Sequence, residues 1–491
     1  MSIPVLTDYT IPDLPELDVS IPLKIDPRPY QARGIAYGIQ KECFINGDDM
    51  GLGKTFQSIA TITALKAFPC LVICPSGVKE NWRREWQKFT KVKAIVLEDS
   101  VKNNFMEYYR AGMAQVFIVN YESVRKYFID SIAPVKSGER FKVSDVNVKT
   151  KVVDMFKSAI VDEIHKLKDF TTQNYKFTRS ITKRLPVVIG LTGTMFVNTP
   201  WDLAAQLMII NRMQYFGGFA FFKQRYCAGP QKASNLRELN VLLNRVCYFR
   251  RNKSDPEIKK YLPDKARQIV MCDLDAKHRK EYQQAVNNLK GYLKQYKSAS
   301  EETVEQSMKG EVMVRIGILK NISARGKLQD AFNFINDLIS QGQKVVVFCN
   351  LLDVVDQIQA KYKNSVRITG GQDGKEKQAA IDKFRSDPKI MVIACTIKAA
   401  GTGVDGLQDV SSNACFIELG WHSAIMDQAE DRCYRSGQHK NVMCTYFLGK
   451  DTIDEWNYKL IETKRELGST ITGAENNVDV SIISDVMNLF T

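Results

Sequence analysis

Residues 48–55 read Asp48-Asp49-Met50-Gly51-Leu52-Gly53-Lys54-Thr55, and the fold turns on what flanks them. The short apolar run Cys43-Phe44-Ile45 comes before, and the helix-like Phe56-Gln57-Ser58-Ile59-Ala60 comes after. Strand, loop, helix is the order a phosphate-binding loop requires. Gly51 and Gly53 allow backbone N–H groups to close round phosphate oxygens, and the helix N-terminus adds its positive end. Lys54 is placed to reach the β- and γ-phosphates of ATP, and the Thr55 hydroxyl to ligate Mg2+. The segment Asp49 to Thr55 is therefore the expected nucleotide-binding loop, with Asp48 standing where the strict pattern has glycine.

Further along, Ile160-Val161-Asp162-Glu163-Ile164-His165 ends an apolar run in two carboxylates. In a parallel sheet such a run delivers them to the C-terminal strand edge, where ligand crevices form. Asp162 is the candidate magnesium ligand, and Glu163 the group that orients and deprotonates the attacking water.

Other apolar runs, Leu71-Val72-Ile73-Cys74, Val116-Phe117-Ile118-Val119 and Val187-Val188-Ile189, alternate with amphipathic stretches. Continuous apolar strands separated by helices predict a parallel sheet covered on both faces. The rhythm stops over residues 275–330, which are helix-like and rich in Lys, Gln and Glu. It restarts at Lys344-Val345-Val346-Val347-Phe348, Met391-Val392-Ile393-Ala394 and Ala414-Cys415-Phe416-Ile417. The expected fold class is α/β, two parallel-sheet blocks flanking a helical insertion. The expected boundaries are an arm over 1–27, whose prolines at 4, 12, 15, 22 and 27 forbid continuous helix, a first lobe over 28–265, a linking segment and protrusion over 266–330, a second lobe over 331–468 and a tail over 469–491.

Composition excludes several classes. With 44% hydrophobic and 25% charged residues among 491, the chain reads as globular rather than disordered. No apolar stretch approaches the ~18 residues of a membrane span, and Met1 to Asp18 lacks the basic head and apolar core of a secretory signal. Eleven cysteines, scattered singly, predict buried reduced thiols and an intracellular protein, and four separated histidines offer no metal cluster. A net charge of +14 asks for a polyanionic partner.

In order and spacing, the sequence resembles the SWI/SNF-type remodeller branch of the superfamily 2 helicase-like ATPases. The carrying residues are Arg28-Pro29-Tyr30-Gln31, Asp48 to Thr55, Asp162 to His165, Leu191-Thr192-Gly193-Thr194, Arg250-Arg251-Asn252-Lys253-Ser254-Asp255, Ala400-Gly401-Thr402-Gly403, and Gln428-Ala429-Glu430-Asp431-Arg432-Cys433-Tyr434-Arg435-Ser436-Gly437-Gln438. The resemblance implies two RecA-like lobes that hydrolyse ATP with Mg2+ between them. It also implies that Arg28, Gln31 and Gly403 join the nucleotide site, with Gln31 at the adenine edge, and that Thr192 and Thr194 couple nucleotide state to lobe closure. Gln428, Arg432 and Arg435 would complete catalysis, the two arginines as fingers, and their spacing predicts one helix face. Met195-Phe196, His422-Ser423 and Tyr434 depart from the branch's usual residues, but none removes a charged catalytic group.

The segment Cys74-Pro75-Ser76-Gly77 leaves a strand and opens a helix, so Ser76 and nearby amides can hold a strand phosphate. Trp82 and Trp86, at i and i+4, read as a face packed on the core. Opposing grips are expected at Asn350 and at Thr396-Ile397-Lys398. Residues 245–267 hold eight Lys/Arg against three acids and either line a duplex or brace the two blocks. The expected function is a double-stranded-DNA translocase acting on a DNA–protein complex or branched DNA, as a monomer and without a membrane. The alternatives are a strand-separating DNA or RNA helicase and a nucleotide-dependent clamp. Arg325-Gly326-Lys327-Leu328 is similar to the fork-remodelling, annealing subgroup. The expected compartment is cytoplasm or nucleoid in a bacterium or virus, and the nucleus in a eukaryote.

Overall fold

The computed structural model describes residues 8–101, 104–136, 138–193, 200–229, 232–297, 302–401 and 404–470. The chain divides into two compact units, residues 1–261 and 262–491. The first is built on a seven-stranded sheet, ordered Tyr248–Phe249, Cys43–Asn46, Val187–Leu191, Ser158–Asp162, Cys70–Cys74, Val116–Asn120, Ala94–Val96. Every pairing in it is parallel. Strands such as Cys70–Cys74 and Val116–Asn120 are buried along their whole length, which is why their residues 70–74 and 116–119 are apolar in unbroken runs rather than at alternate positions. Val161 pairs with Gly190 and Ile45 with the same Gly190 from the other side. A Cβ at Gly190 would lie 2.7 Å from Ile164 Cδ1, so the residue after the two carboxylates packs into the space glycine leaves.

Residues 8–27 form no helix or strand. Leu14, Leu17, Ile21 and Leu23 lie against the first unit's core, and the Lys24 N–H donates to the Phe89 carbonyl at 2.8 Å. These four residues thus find cover without regular structure, while Ile11, Val19 and Ile25 stay exposed.

The second unit carries a six-stranded parallel sheet, ordered Lys265–Cys272, Val442–Gly449, Asn413–Phe416, Val345–Cys349, Val392–Thr396, Val366–Ile368. Lys265–Cys272 pairs along all eight residues with Val442–Gly449, so a strand precedes the helical stretch and belongs to this sheet. The helices Ala276–Lys297 and Glu302–Gly326 share an apolar cluster of Leu289, Leu293, Val312, Ile316 and Leu319 with Ile453, which anchors them in the second unit. Lys327, almost wholly buried, is ion-paired with Asp454 and donates to the Phe447 carbonyl at 2.8 Å. All eleven cysteines are free, and all but Cys227 are buried. Among the described residues no helix is long and apolar enough to cross a membrane.

Candidate active site

The loop after Cys43–Asn46 is held by its neighbours on every side. Gly51 and Gly53 sit at φ 82° and 81°, in the left-handed region that glycine enters without strain, and Gly53 caps the helix Lys54–Leu65. Its first-turn N–H groups lack intrahelical acceptors and face the loop, the geometry of an anion site. Lys54 Nζ donates to the carbonyls of Asp48 at 2.6 Å and Asp49 at 3.1 Å. Burial lowers the Lys54 pKa, and the carboxylates of Asp48, Glu163, Asp49 and Asp162 oppose that shift. Thr55, half-buried, follows in the first turn of the helix.

Asp48 accounts for the missing glycine. Its carboxylate is fully buried against the Arg251 guanidinium and accepts from Arg251 Nε and the Arg251 N–H, both at 3.0 Å. Gln57 Nε2 donates to its other oxygen at 3.0 Å, and the Arg251 guanidinium also donates to the Tyr30 carbonyl. Asp49 accepts from Arg250 and from the Lys253 N–H, each at 3.0 Å. The basic segment 245–267 is thus largely consumed by acids of its own unit: Arg245 meets Asp8 in the first unit, while Lys265 and Arg267 meet Glu430 in the second. Gln31, buried, donates to the Leu52 carbonyl at 3.3 Å and accepts from the Arg28 N–H at 3.1 Å. The Arg28 guanidinium lies over the Tyr261 ring, 5.3 Å from its centroid.

Asp162 closes the strand Ser158–Asp162, and Glu163 follows with φ 53°, a left-handed conformation rare outside glycine. Burial, and next the neighbouring Glu163 charge, push the Asp162 carboxyl up to about 6. Trp82 Nε1 donates to Asp162 Oδ2 at 2.9 Å, and the Tyr121 hydroxyl donates to the Asp162 carbonyl. His165 Nδ1 lies 3.0 Å from Thr192 Oγ1 and 3.3 Å from Glu163 Oε2; burial pulls its pKa down to about 4, so the ring is neutral at neutral pH. A Cβ at Gly193 would lie 2.8 Å from Met50 Cγ, which brings the Leu191-Thr192-Gly193 strand end against the loop. Thr194, Met195 and Phe196 lie outside the described residues.

The first unit therefore gathers Arg28, Gln31, the loop 49–55, Asp162 and Glu163 at one sheet edge. Ser76 is exposed at the same C-terminal edge, opening the turn Ser76–Val78 before the helix Lys79–Phe89. The donor set of backbone amides, one ammonium, one hydroxyl and two carboxylates fits a magnesium–triphosphate.

In the second unit, the one-face helix expected for Arg432 and Arg435 is corrected. The helix Ser423–Glu430 stops before them, and both lie on the turns that follow. Tertiary hydrogen bonds set that path: Arg432 NH1 donates to the Val404 carbonyl at 2.9 Å, Arg435 meets Asp405 at 3.1 Å, and Gln438 Nε2 donates to the carbonyls of Gln408 and Ser411 at 3.0 and 2.9 Å. The two arginines still converge on residues 404–405; Gly403 itself lies outside the described residues. Gln428 is half-buried on the helix. Asn350, exposed, follows the strand Val345–Cys349; its N–H donates to Glu418 at 2.8 Å and its side chain to the Leu419 carbonyl at 3.3 Å. Thr396 is buried at the end of its strand, and Lys398 is exposed on the short helix Ile397–Gly401.

Sequence reasoning missed Trp82 as a partner of Asp162, Arg251 as the partner of Asp48, and Glu430 as the centre of a charge cluster. An acid in the place of the loop glycine, with Arg250-Arg251 later in the chain, was the available signal for the second.

A phosphate loop and a carboxylate pair on one parallel sheet, with a second parallel sheet following, define a helicase-like ATP-hydrolysing enzyme. The chain belongs to the SNF2-related domain family, which matches residues 30–325, and the helicase conserved C-terminal domain matches residues 327–437. It is 27% identical over 475 residues to the Xenopus tropicalis SWI/SNF-related matrix-associated actin-dependent regulator of chromatin subfamily A-like protein 1, covering 92% of this chain and 46% of that protein. It is likewise 27% identical over 473 residues to the human DNA annealing helicase and endonuclease ZRANB3, covering 92% and 41%. The chain thus spans about half the length of the relatives it matches. The Sulfolobus solfataricus SWI2/SNF2 ATPase core in complex with dsDNA is similar at 25% identity and TM-score 0.44, over 92% of this chain and 94% of that one.

Proposed function

We infer that the chain is an ATP-dependent double-stranded-DNA translocase that remodels DNA–protein complexes or branched DNA. The observation that carries this reading is the placement of Ser76 on the same sheet edge as the loop 49–55 and the carboxylates Asp162 and Glu163. A phosphate of the track and the phosphates of ATP would then be held by one rigid body. Relatives described as a chromatin regulator and as a DNA annealing helicase support DNA as the polymer.

In this reading Lys54 and the loop amides bind the β- and γ-phosphates, and Gln31 and Arg28 border the nucleotide. Thr55 and Asp162 would hold magnesium, whose charge offsets that of the phosphates when bound. Glu163 orients water and takes its proton, and Arg432 and Arg435, with Gln428, supply transition-state charge from the second unit. Gly403 belongs to the same site. Asn350, Thr396 and Lys398 form the second phosphate grip, so that each nucleotide cycle moves one grip against the other. The protein acts as an intracellular monomer. The test is ATP turnover against duplex, single-stranded and forked DNA and against RNA. Duplex should stimulate most, and bound protein should be displaced without unwinding. Equal stimulation by RNA or strand separation would favour a helicase, and tight binding without turnover would favour a clamp.

A further inference from the structure

Two tryptophans one helical turn apart meet different fates in the first unit. Trp82 and Trp86 both lie on Lys79–Phe89, and both are buried, at 1% and 0% exposure. Trp86 packs edge-on against Phe68, centroids 6.1 Å apart, and its indole nitrogen is buried without an acceptor. It serves as a hydrocarbon ring. The Trp82 indole instead donates to Asp162 Oδ2 at 2.9 Å. A buried indole N–H aimed at a carboxylate oxygen does more than pack, because it removes rotational freedom from the side chain that accepts it.

Chain connectivity gives the contact its meaning. The strand Cys70–Cys74 runs into Pro75, the turn Ser76–Val78 and then, without a break, the helix bearing Trp82. The neighbouring strand Cys70–Cys74 also pairs directly with Ser158–Asp162, Ile73 opposite Val161. Asp162 is therefore gripped from two sides, its side chain by Trp82 and its carbonyl by Tyr121, which follows the strand Val116–Asn120. A shift of the turn at Ser76 moves the helix start, and with it the Trp82 indole that donates to the Asp162 carboxylate.

We propose that Trp82 is a positioning residue that sets the Asp162 carboxylate for the metal and links it to the polymer-binding turn at Ser76. The assignment of Asp162 and Ser76 rests on the function inferred above. Trp82 touches neither nucleotide nor polymer; it acts through Asp162.

The test replaces Trp82 in the full chain by Phe, which keeps the ring and loses the donor, with Trp86→Phe as control. Calorimetric binding of a non-hydrolysable ATP analogue is measured as Mg2+ or Mn2+ is titrated, and ATP turnover is measured with and without duplex DNA. A hydrogen bond to a charged group is large enough that W82F should need roughly tenfold more metal for half-maximal binding. Metal-free binding should be unchanged, and stimulation by duplex should fall by a factor of about ten or more. W86F should change neither. If W82F fails to fold, benzothienylalanine at position 82 keeps the ring shape and exchanges N–H for sulfur. An unchanged metal titration overturns the positioning role, and a shifted titration with undiminished duplex stimulation overturns the link to Ser76. A wild type that duplex does not stimulate would instead strike the translocase reading, leaving the metal titration to decide on Asp162.

Discussion

Lys54 and Glu163 stand a short distance apart in function but differ in what their loss should do. On the proposed mechanism Lys54→Ala removes the main neutraliser of the β- and γ-phosphates, so both ATP binding and hydrolysis should fail. Glu163→Gln keeps shape and hydrogen bonding but loses the proposed base, so ATP should be retained and turnover lost, which filter retention of labelled ATP beside a turnover assay will show. Near wild-type turnover by Glu163→Gln would remove it from the role of base. Arg251 is different again, since it never needs to meet ATP. Its partner Asp48 is fully buried, and Arg251 itself is 5% exposed. Arg251→Met leaves an uncompensated buried carboxylate and should cost about 3–5 kcal/mol. The double replacement Asp48→Leu with Arg251→Met should recover most of that loss in denaturant unfolding, because the desolvation penalty disappears with the pair.

Among the elements, the helix Pro29–Lys41 depends on a close approach that its sequence hides. A Cβ at Gly34 would lie 2.0 Å from Gln57 Oε1 and 2.8 Å from an Arg251 nitrogen. Gly34→Ala gains helix propensity of about 0.5–1 kcal/mol, but it must displace a glutamine that is bonded to both Asp48 and Arg251. The expected result is a lower unfolding midpoint, and a higher one would show the clash to be relieved cheaply. In the second unit the helix Ser423–Glu430 is pinned by Glu430, fully buried, to Lys265 at 2.6 Å, Arg267 at 2.7 Å and Arg465 at 3.0 Å, and it also accepts from the Tyr446 hydroxyl. Burial alone would raise the Glu430 pKa, but the Arg267 hydrogen bond and the charges of Lys265, Arg465 and Arg267 hold it well below the usual carboxylate range. With the folded pKa below the unfolded 4.5, this cluster stabilises fully above pH 4.5 and loses its contribution as pH falls further. Glu430→Gln should destabilise by about 3–5 kcal/mol at pH 7 and flatten the acid side of the melting-temperature profile.

For the molecule as a whole, a net charge of +14 makes polymer binding an electrostatic matter. Stimulation by duplex should fall steeply as salt rises, and a flat salt response would argue against phosphate contacts. The role proposed for Arg435 makes a sharper demand. On the proposed mechanism Arg435 contributes mainly in the transition state, so Arg435→Ala should bind ATP nearly normally and hydrolyse it roughly 10³-fold more slowly even with saturating duplex. A variant that loses binding and turnover in equal measure would place Arg435 in the ground-state site instead.

The parallel sheets were legible in the sequence because strands covered on both faces are apolar in unbroken runs, as Val345–Cys349 and Cys70–Cys74 are. The loop 48–55 and the pair Asp162 and Glu163 were legible for a local reason, since glycines, a lysine and strand-end acids lie within a few residues of the backbone that uses them. Tertiary structure alone decided the rest. Asp48 and Arg251 are 203 residues apart, and no local pattern joins them. Residues 428–435 favoured one continuous helix, yet hydrogen bonds to Val404, Gln408 and Ser411 end it at Glu430. Trp82 and Trp86 share a helix face, and periodicity predicts burial for both. Which indole N–H finds a carboxylate depends on a strand end 80 residues away, and only the folded sheet brings it there.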